Sequence, residues 1–253
     1  LCKTYYKALG IPPKSGLVFT TLPVSKALKV PDDAYQFAAC MRLGLVRSAY
    51  PLPAACTLCG EDMQLDPLHY LSCRFLKEEV RALRHDPLCL ALKNWSARLG
   101  GYCVLEPRNR EVPGSKRYDG RVVIGRKRLA FDVSIIHPLA KSHLQEAAKG
   151  PLGAAKKRET EKENKHQPQQ QGQQQGARNG VDFYPFVLES YGGLGDKAAR
   201  FLKELLDASR QVHHVWDPQG RLALTIWREL AVTLAIGNNA VVQAGLNKVP
   251  HYD

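Results

Sequence analysis

Four side chains constrain this chain more than any others: Cys56, Cys59, His69 and Cys73, spaced C-x2-C-x9-H-x3-C. Zinc takes soft or borderline ligands in a tetrahedron, and this set supplies four of them. The close cysteine pair can sit on a tight turn with Gly60 just beyond it. His69 and Cys73, four residues apart, can share one face of a helical turn. So short a segment buries little by itself, so a metal would supply much of its folding free energy. The chain holds seven cysteines, an odd number. Metal ligation in a reducing compartment accounts for the cluster better than a disulfide framework does. Cys2, Cys40, Cys89 and Cys103 lack such partners and read as apolar filler.

With 253 residues, the chain can bury a core for one or two domains. A formal net charge of +12 suits a polyanionic partner and salt-sensitive binding. No apolar run reaches the roughly 18 residues of a membrane-spanning helix. The chain opens Leu1-Cys2-Lys3-Thr4, without an initiator Met or a signal-peptide layout, so a piece of a longer polyprotein is expected.

Residues 1–55 read as a lead-in, with a short extended segment from Gly16 to Val24. A helix is expected over Pro31–Leu45, capped by Asp32 or Asp33, with Phe37, Cys40 and Met41 on one face. A second helix is expected from Phe75 to about Leu99, interrupted near Pro87. Strand patterns follow at Tyr102–Pro107, Arg121–Ile124 and Leu129–Ile136, the last two joined as a hairpin through Gly125-Arg126-Lys127-Arg128. Residues 141–166 suggest a basic helix broken near Gly150-Pro151. The glutamine-rich residues 167–178 suggest a disordered insertion. A strand over Val181–Ser190 and helices near 196–213 and 219–244 complete the pattern. Trp95, Trp216 and Trp227 read as core residues.

Asp132 is unusual because it sits mid-strand among Leu129, Phe131, Val133 and Ile135, where an unpaired carboxylate is costly to desolvate. A hairpin could bring Asp119 beside it, and a divalent cation would relieve the repulsion between them. Mg²⁺ fits such hard oxygen ligands, and can activate a water against a phosphodiester. Spacing alone also permits Asp132 on a solvated face and Asp119 capping a turn. Arg121, Arg126, Lys127 and Arg128 cluster at the hairpin turn, where they could hold phosphates without reading bases.

Taken in order, several segments resemble the C-terminal part of non-LTR retrotransposon polyproteins, in which a CCHC knuckle precedes a restriction-like endonuclease of the PD-(D/E)XK type. They are Gly16-Leu-Val-Phe-Thr-Thr-Leu-Pro, Arg42-Leu-Gly-Leu, the knuckle, Arg84-His85-Asp86, Glu106-Pro-Arg, the Asp119/Asp132 pair, and Phe186-Val-Leu-Glu-Ser-Tyr-Gly-Gly-Leu-Gly. The resemblance spans roughly residues 16–235. It implies an α/β fold with a restriction-endonuclease-like mixed sheet flanked by helices. A helical lead-in (1–55) and zinc knuckle (56–73) would precede the nuclease core (75–213), and a helical extension (214–253) would follow it. Structural Zn²⁺ and catalytic Mg²⁺ are the implied cofactors.

The resemblance makes Asp119 and Asp132 the metal-binding carboxylates, with Glu106 and Glu189 as weaker additional candidates. Tyr118 stands where the family often has Pro, and Ser134 stands where its lysine usually lies. In these nucleases a later helix supplies the lysine, which points to Lys162 or Lys165 here; they share a helical face by spacing. Arg84, His85 and Arg117 join the hairpin cations as expected nucleic-acid contacts. The implied activity is nicking of a DNA target in the nucleus to prime reverse transcription, with element RNA as a further partner. The upstream reverse transcriptase region would be absent from this piece. The rival reading is a zinc-knuckle nucleic-acid-binding module whose nuclease centre has decayed.

Overall fold

The structure, a computed structural model, describes residues 15–106, 118–166, 180–213 and 220–248. The glutamine-rich segment, Arg117, Trp216 and Cys2 lie outside them. The described residues form a mixed α/β arrangement around one four-stranded sheet in the order β1-β2-β3-β4. Strand β1 (Tyr102–Leu105) pairs antiparallel with β2 (Gly120–Ile124), and β2 pairs antiparallel with β3 (Lys127–Ile136). The hairpin turn is Gly125-Arg126, since Lys127 already pairs with Ile124. Strand β4 (Asp182–Glu189) lies parallel to β3, which requires a crossover.

Alternation along the strands gives the two sheet faces different burial. Val122, Ile124, Leu129, Phe131, Val133, Tyr184, Phe186 and Leu188 point into the main core. Helices α2 (Asp86–Arg98) and α5 (Asp196–His213) pack there, through Leu88, Leu92 and Trp95, and through Phe201, Leu202 and Leu205. The crossover is helical, with α3 (Leu144–Lys149) and α4 (Gly153–His166) separated where Gly150-Pro151 was expected to break the helix. Ala154 and Ala155 of α4 pack on Ile136 and Val187, covering the opposite face of β3 and β4.

Helix α1 (Asp32–Leu43) buries Phe37 and Met41 as its periodicity predicts. Its cap differs from expectation: Pro31 is the N-cap with no side-chain bond, and the Asp33 carboxylate instead accepts from Asn239 Nδ2 at 2.7 Å. Leu17–Thr20 is one helical turn rather than extended chain, and the Thr21 hydroxyl donates to the Leu17 carbonyl at 2.6 Å. Ahead of α2, the turn Lys77–Val80 runs into a wide π-type turn at Arg81–His85, so the irregularity precedes Pro87. Proline lacks an N–H and its ring crowds the carbonyl four residues back, which is Leu83. Widening the turn relieves that conflict.

The long helix α6 (Arg221–Asn247) packs against α1, α2 and the π-type turn at Arg81–His85. A Cβ at Gly237 would lie 2.5 Å from the Leu83 carbonyl, and one at Gly245 would lie 2.5 Å from the Tyr70 ring. Glycine is therefore required at both crossings. The knuckle does not stand apart: Met63, Leu68, Tyr70 and Leu71 share one cluster with Phe37 and Met41 of α1 and Val241 and Val242 of α6. Trp95 is buried in the main core, donating to Glu229 at 2.9 Å, and Trp227 packs against the same core.

Candidate metal centre and carboxylate site

The cysteine cluster closes as its spacing predicts. Ala55 bridges Asp62 across the cysteine turn, and Gly60 N–H donates to the Cys56 carbonyl at 2.8 Å. A short helical turn at His69–Leu71 then brings the second pair of ligands to the first. One ligand atom from each of Cys56, Cys59, His69 and Cys73 lies within 4.8 Å of the others. Cys56 Sγ and Cys73 Sγ are 3.9 Å apart, close to the edge of a tetrahedron with metal–sulfur bonds of about 2.3 Å. Burial and crowding by neighbouring thiols push the Cys73 thiol up to about 12. Burial also lowers the His69 pKa, keeping its imidazole neutral. Buried thiols crowded beside a neutral imidazole form a set that a cation would stabilise as thiolates. The cluster could therefore hold a metal ion.

The second site is assembled from distant segments. Asp119 immediately precedes β2, and Asp132 lies on β3 on the face covered by α4. The Asp119 carboxylate reaches the backbone of Val133, the residue after Asp132, so the two carboxyl groups are neighbours. Asp119 Oδ2 accepts from the Val133 N–H at 2.6 Å and lies 2.9 Å from His85 Nε2. Asp132 is 8% exposed; its Oδ1 is 2.7 Å from Lys162 Nζ and its Oδ2 is 3.1 Å from His166 Nε2. Lys162 also donates to the Val133 carbonyl at 3.1 Å. Burial works against a charged Asp132. His166, the neighbouring Asp119 and Lys162 outweigh that cost and hold it well below the usual carboxylate range. Burial lowers the Lys162 pKa against the pull of Asp132.

Helix phase separates the two candidate lysines. Lys162 is buried against β3, whereas Lys165 is exposed. His166, one turn beyond Lys162, is a contact the sequence reading passed over. Its ring stacks against Tyr118 at 5.2 Å and lies 4.4 Å from the Phe183 ring. The available signal was the i, i+4 spacing from Lys162, which puts both side chains on one helix face.

The π-type turn aims His85 at Asp119, while His85 Nδ1 lies 2.9 Å from Asp86 Oδ1. Burial disfavours the imidazolium, but Asp119, Cys89 and Asp86 outweigh it and raise His85 to about 11. His85, Cys89 and Asp119 also bring one ligand atom each within 4.8 Å.

Other expected contacts fall elsewhere. Arg84 is 0% exposed and gives Nη1 to the Leu71 carbonyl at 3.0 Å, so it is core rather than a nucleic-acid contact. Glu106 leaves β1 in the left-handed region (φ 45°) and pairs with Arg81. Glu189 pairs in register with Ile136, four residues beyond Asp132, or roughly 13 Å along the strand. Its Oε1 accepts from the Ala155 N–H at 3.2 Å, and burial raises its pKa to about 7. Neither glutamate joins the aspartate pair. Arg126 sits at the far end of the hairpin, roughly 20 Å from Asp119. Lys127 is tied to Glu204 at 3.0 Å. Arg121 and Arg128 alternate onto the same face as Asp132.

Comparison with protein-family models and with curated proteins finds no match to this chain.

Proposed function

We propose that this chain is a metal-dependent DNA endonuclease of a retroelement, with a restriction-like core and zinc held by Cys56, Cys59, His69 and Cys73. One observation carries the reading: Asp132 on β3 and Lys162 on the crossover helix meet in a buried ion pair, and Asp119, just before β2, reaches the Val133 N–H beside them, next to an open sheet face. That is the residue set a phosphodiester hydrolase of this type needs, with the lysine supplied from a later helix. Asp119 and Asp132 would hold Mg²⁺, which when bound polarises the phosphate and lowers the pKa of a coordinated water. Lys162, fixed by Asp132 and the Val133 carbonyl, would orient the attacking water or stabilise charge developing on the phosphate. His85 would hold Asp119 in place. Attack at phosphorus breaks one P–O bond and leaves a 3′ hydroxyl on the nicked strand, which is the end a reverse transcriptase extends. The site of action would be nuclear DNA, with the element's RNA as a second partner.

One observation favours the rival, a nucleic-acid-binding module that no longer cuts. Lys162 and His166 already engage both oxygens of Asp132, so its charge is compensated from within the chain. Plasmid nicking with Mg²⁺ or Mn²⁺ separates the two. The nuclease should convert supercoiled to open-circular DNA, and Asp132→Asn should abolish conversion while DNA binding persists. Binding without any metal-dependent nicking by the unaltered protein would establish the rival instead.

A further inference from the structure

We propose that the uncovered face of β1 and β2 is a track for single-stranded DNA leading to the aspartate pair, with Tyr102 as a stacking platform. The inference rests on the nuclease reading and adds the form of substrate. The strand register builds the track. Tyr102 pairs with Val123, which pairs with Arg128; Val104 pairs with Arg121, which pairs with Ala130. Directly paired residues project to one face, and residues two apart along a strand share it. Tyr102, Val104, Val123, Arg121 and Arg128 therefore lie on the same face as Asp132, in successive rows about 7 Å apart.

Helix α4 covers this face only over β3 and β4, through Ala154 and Ala155. Beyond its edge Tyr102 is 71% exposed, and Val104 and Val123 are each about two-fifths exposed. Neither Arg121 nor Arg128 has an ion-pair or hydrogen-bond partner among the described residues. The surface is thus a flat apolar strip carrying an aromatic ring and two uncompensated cations, ending at buried carboxylates. A sugar–phosphate backbone supplies the anions that the two arginines lack. A tyrosine lying on a flat sheet face can stack on a base. Within a duplex, base faces are already stacked on their neighbours, so a base reaching Tyr102 must come from an unpaired strand. The Tyr102 row lies roughly 14 Å from the aspartates, a span of a few nucleotides from the scissile phosphate.

The test is fluorescence anisotropy with labelled oligothymidylate, in Ca²⁺ to prevent turnover and with zinc retained. Tyr102→Ala should weaken binding about tenfold and Tyr102→Phe should preserve it, because the ring rather than the hydroxyl does the stacking. Arg121→Ala and Arg128→Ala should each weaken binding several-fold and reduce its salt dependence. Affinity for a blunt duplex should be unchanged by Tyr102→Ala. Equal oligothymidylate binding by Tyr102→Ala and the unaltered protein overturns the track. So does an equal loss on duplex, or a failure of Tyr102→Phe to restore affinity. A parallel loss on oligouridylate overturns the assignment to DNA. Nicking activity with Tyr102-independent binding would sink the track and leave the nuclease standing. Tyr102-dependent binding without nicking would do the reverse.

Discussion

The knuckle draws four ligands from a single stretch between Cys56 and Cys73, whereas the carboxylate site gathers Asp119, Asp132, Lys162, His166 and His85 from segments far apart in sequence. Two of the knuckle's three thiols, Cys56 and Cys73, are buried beside a neutral imidazole, with no cationic side chain among the ligands. The carboxylates, in contrast, already have a lysine and two histidines against them. A metal at the first site would add the missing positive charge. A metal at the second must compete with cations the chain already provides. Under the proposed function, a metal at the cysteine cluster would contribute chiefly to folding and one at the aspartates to chemistry.

Replacing Lys162 should have the largest effect on activity. Lys162→Met keeps most of the buried volume and removes the charge facing Asp132, so nicking should fall by about 10²–10³-fold with little change in DNA affinity. A variant that nicks normally would remove the lysine from the chemistry. Zinc should dominate stability. Cys73→Ser, or chelation, should lower the melting temperature by roughly 10 °C or more, because Tyr70 and Met63 lose the frame that seats them against α1 and α6. Equal melting with and without metal would erase the contrast.

Replacing His85 should have a smaller effect. His85→Ala removes one of two hydrogen bonds seen at Asp119 Oδ2 while the Val133 N–H remains, so nicking should fall about tenfold, read as kcat. Unchanged kcat would show that the Val133 bond alone positions Asp119.

The smallest effect lies outside both sites, at Glu189. Its folded pKa of about 7 lies above the ordinary 4.5, so the folded chain holds its proton more tightly. Stability from that proton is fully present below the unfolded value and is lost as pH rises through 7. Urea unfolding should show the unaltered protein weakening between pH 5 and pH 8, and Glu189→Gln should flatten that slope. An identical slope in the variant would show that Glu189 does not titrate in this range.

Local sites and distributed sites differ in how far the sequence discloses them. Fixed spacing was enough to nominate the knuckle ligands, because a short loop can close around an ion without help. Asp132 was conspicuous as a charge inside an apolar strand. Its partners were harder to read, since choosing Lys162 over Lys165 depends on how α4 rotates against β3. His166 was overlooked for the same reason. Arg84 and Glu189 look like surface charges in sequence, and only the packing of α6 and α4 shows them buried. Pro87 pointed to a helical irregularity, but the strain is relieved upstream at Arg81–His85, the turn that aims His85 at Asp119.

Manganese binding followed by electron paramagnetic resonance, on zinc-loaded protein, probes the aspartate pair without requiring turnover. The account predicts one tightly bound Mn²⁺ per chain that disappears in Asp132→Asn and survives Glu189→Gln, which removes a carboxylate roughly 13 Å along the sheet from Asp132. Mn²⁺ binding that is absent, or equally tight in Asp132→Asn, would contradict it.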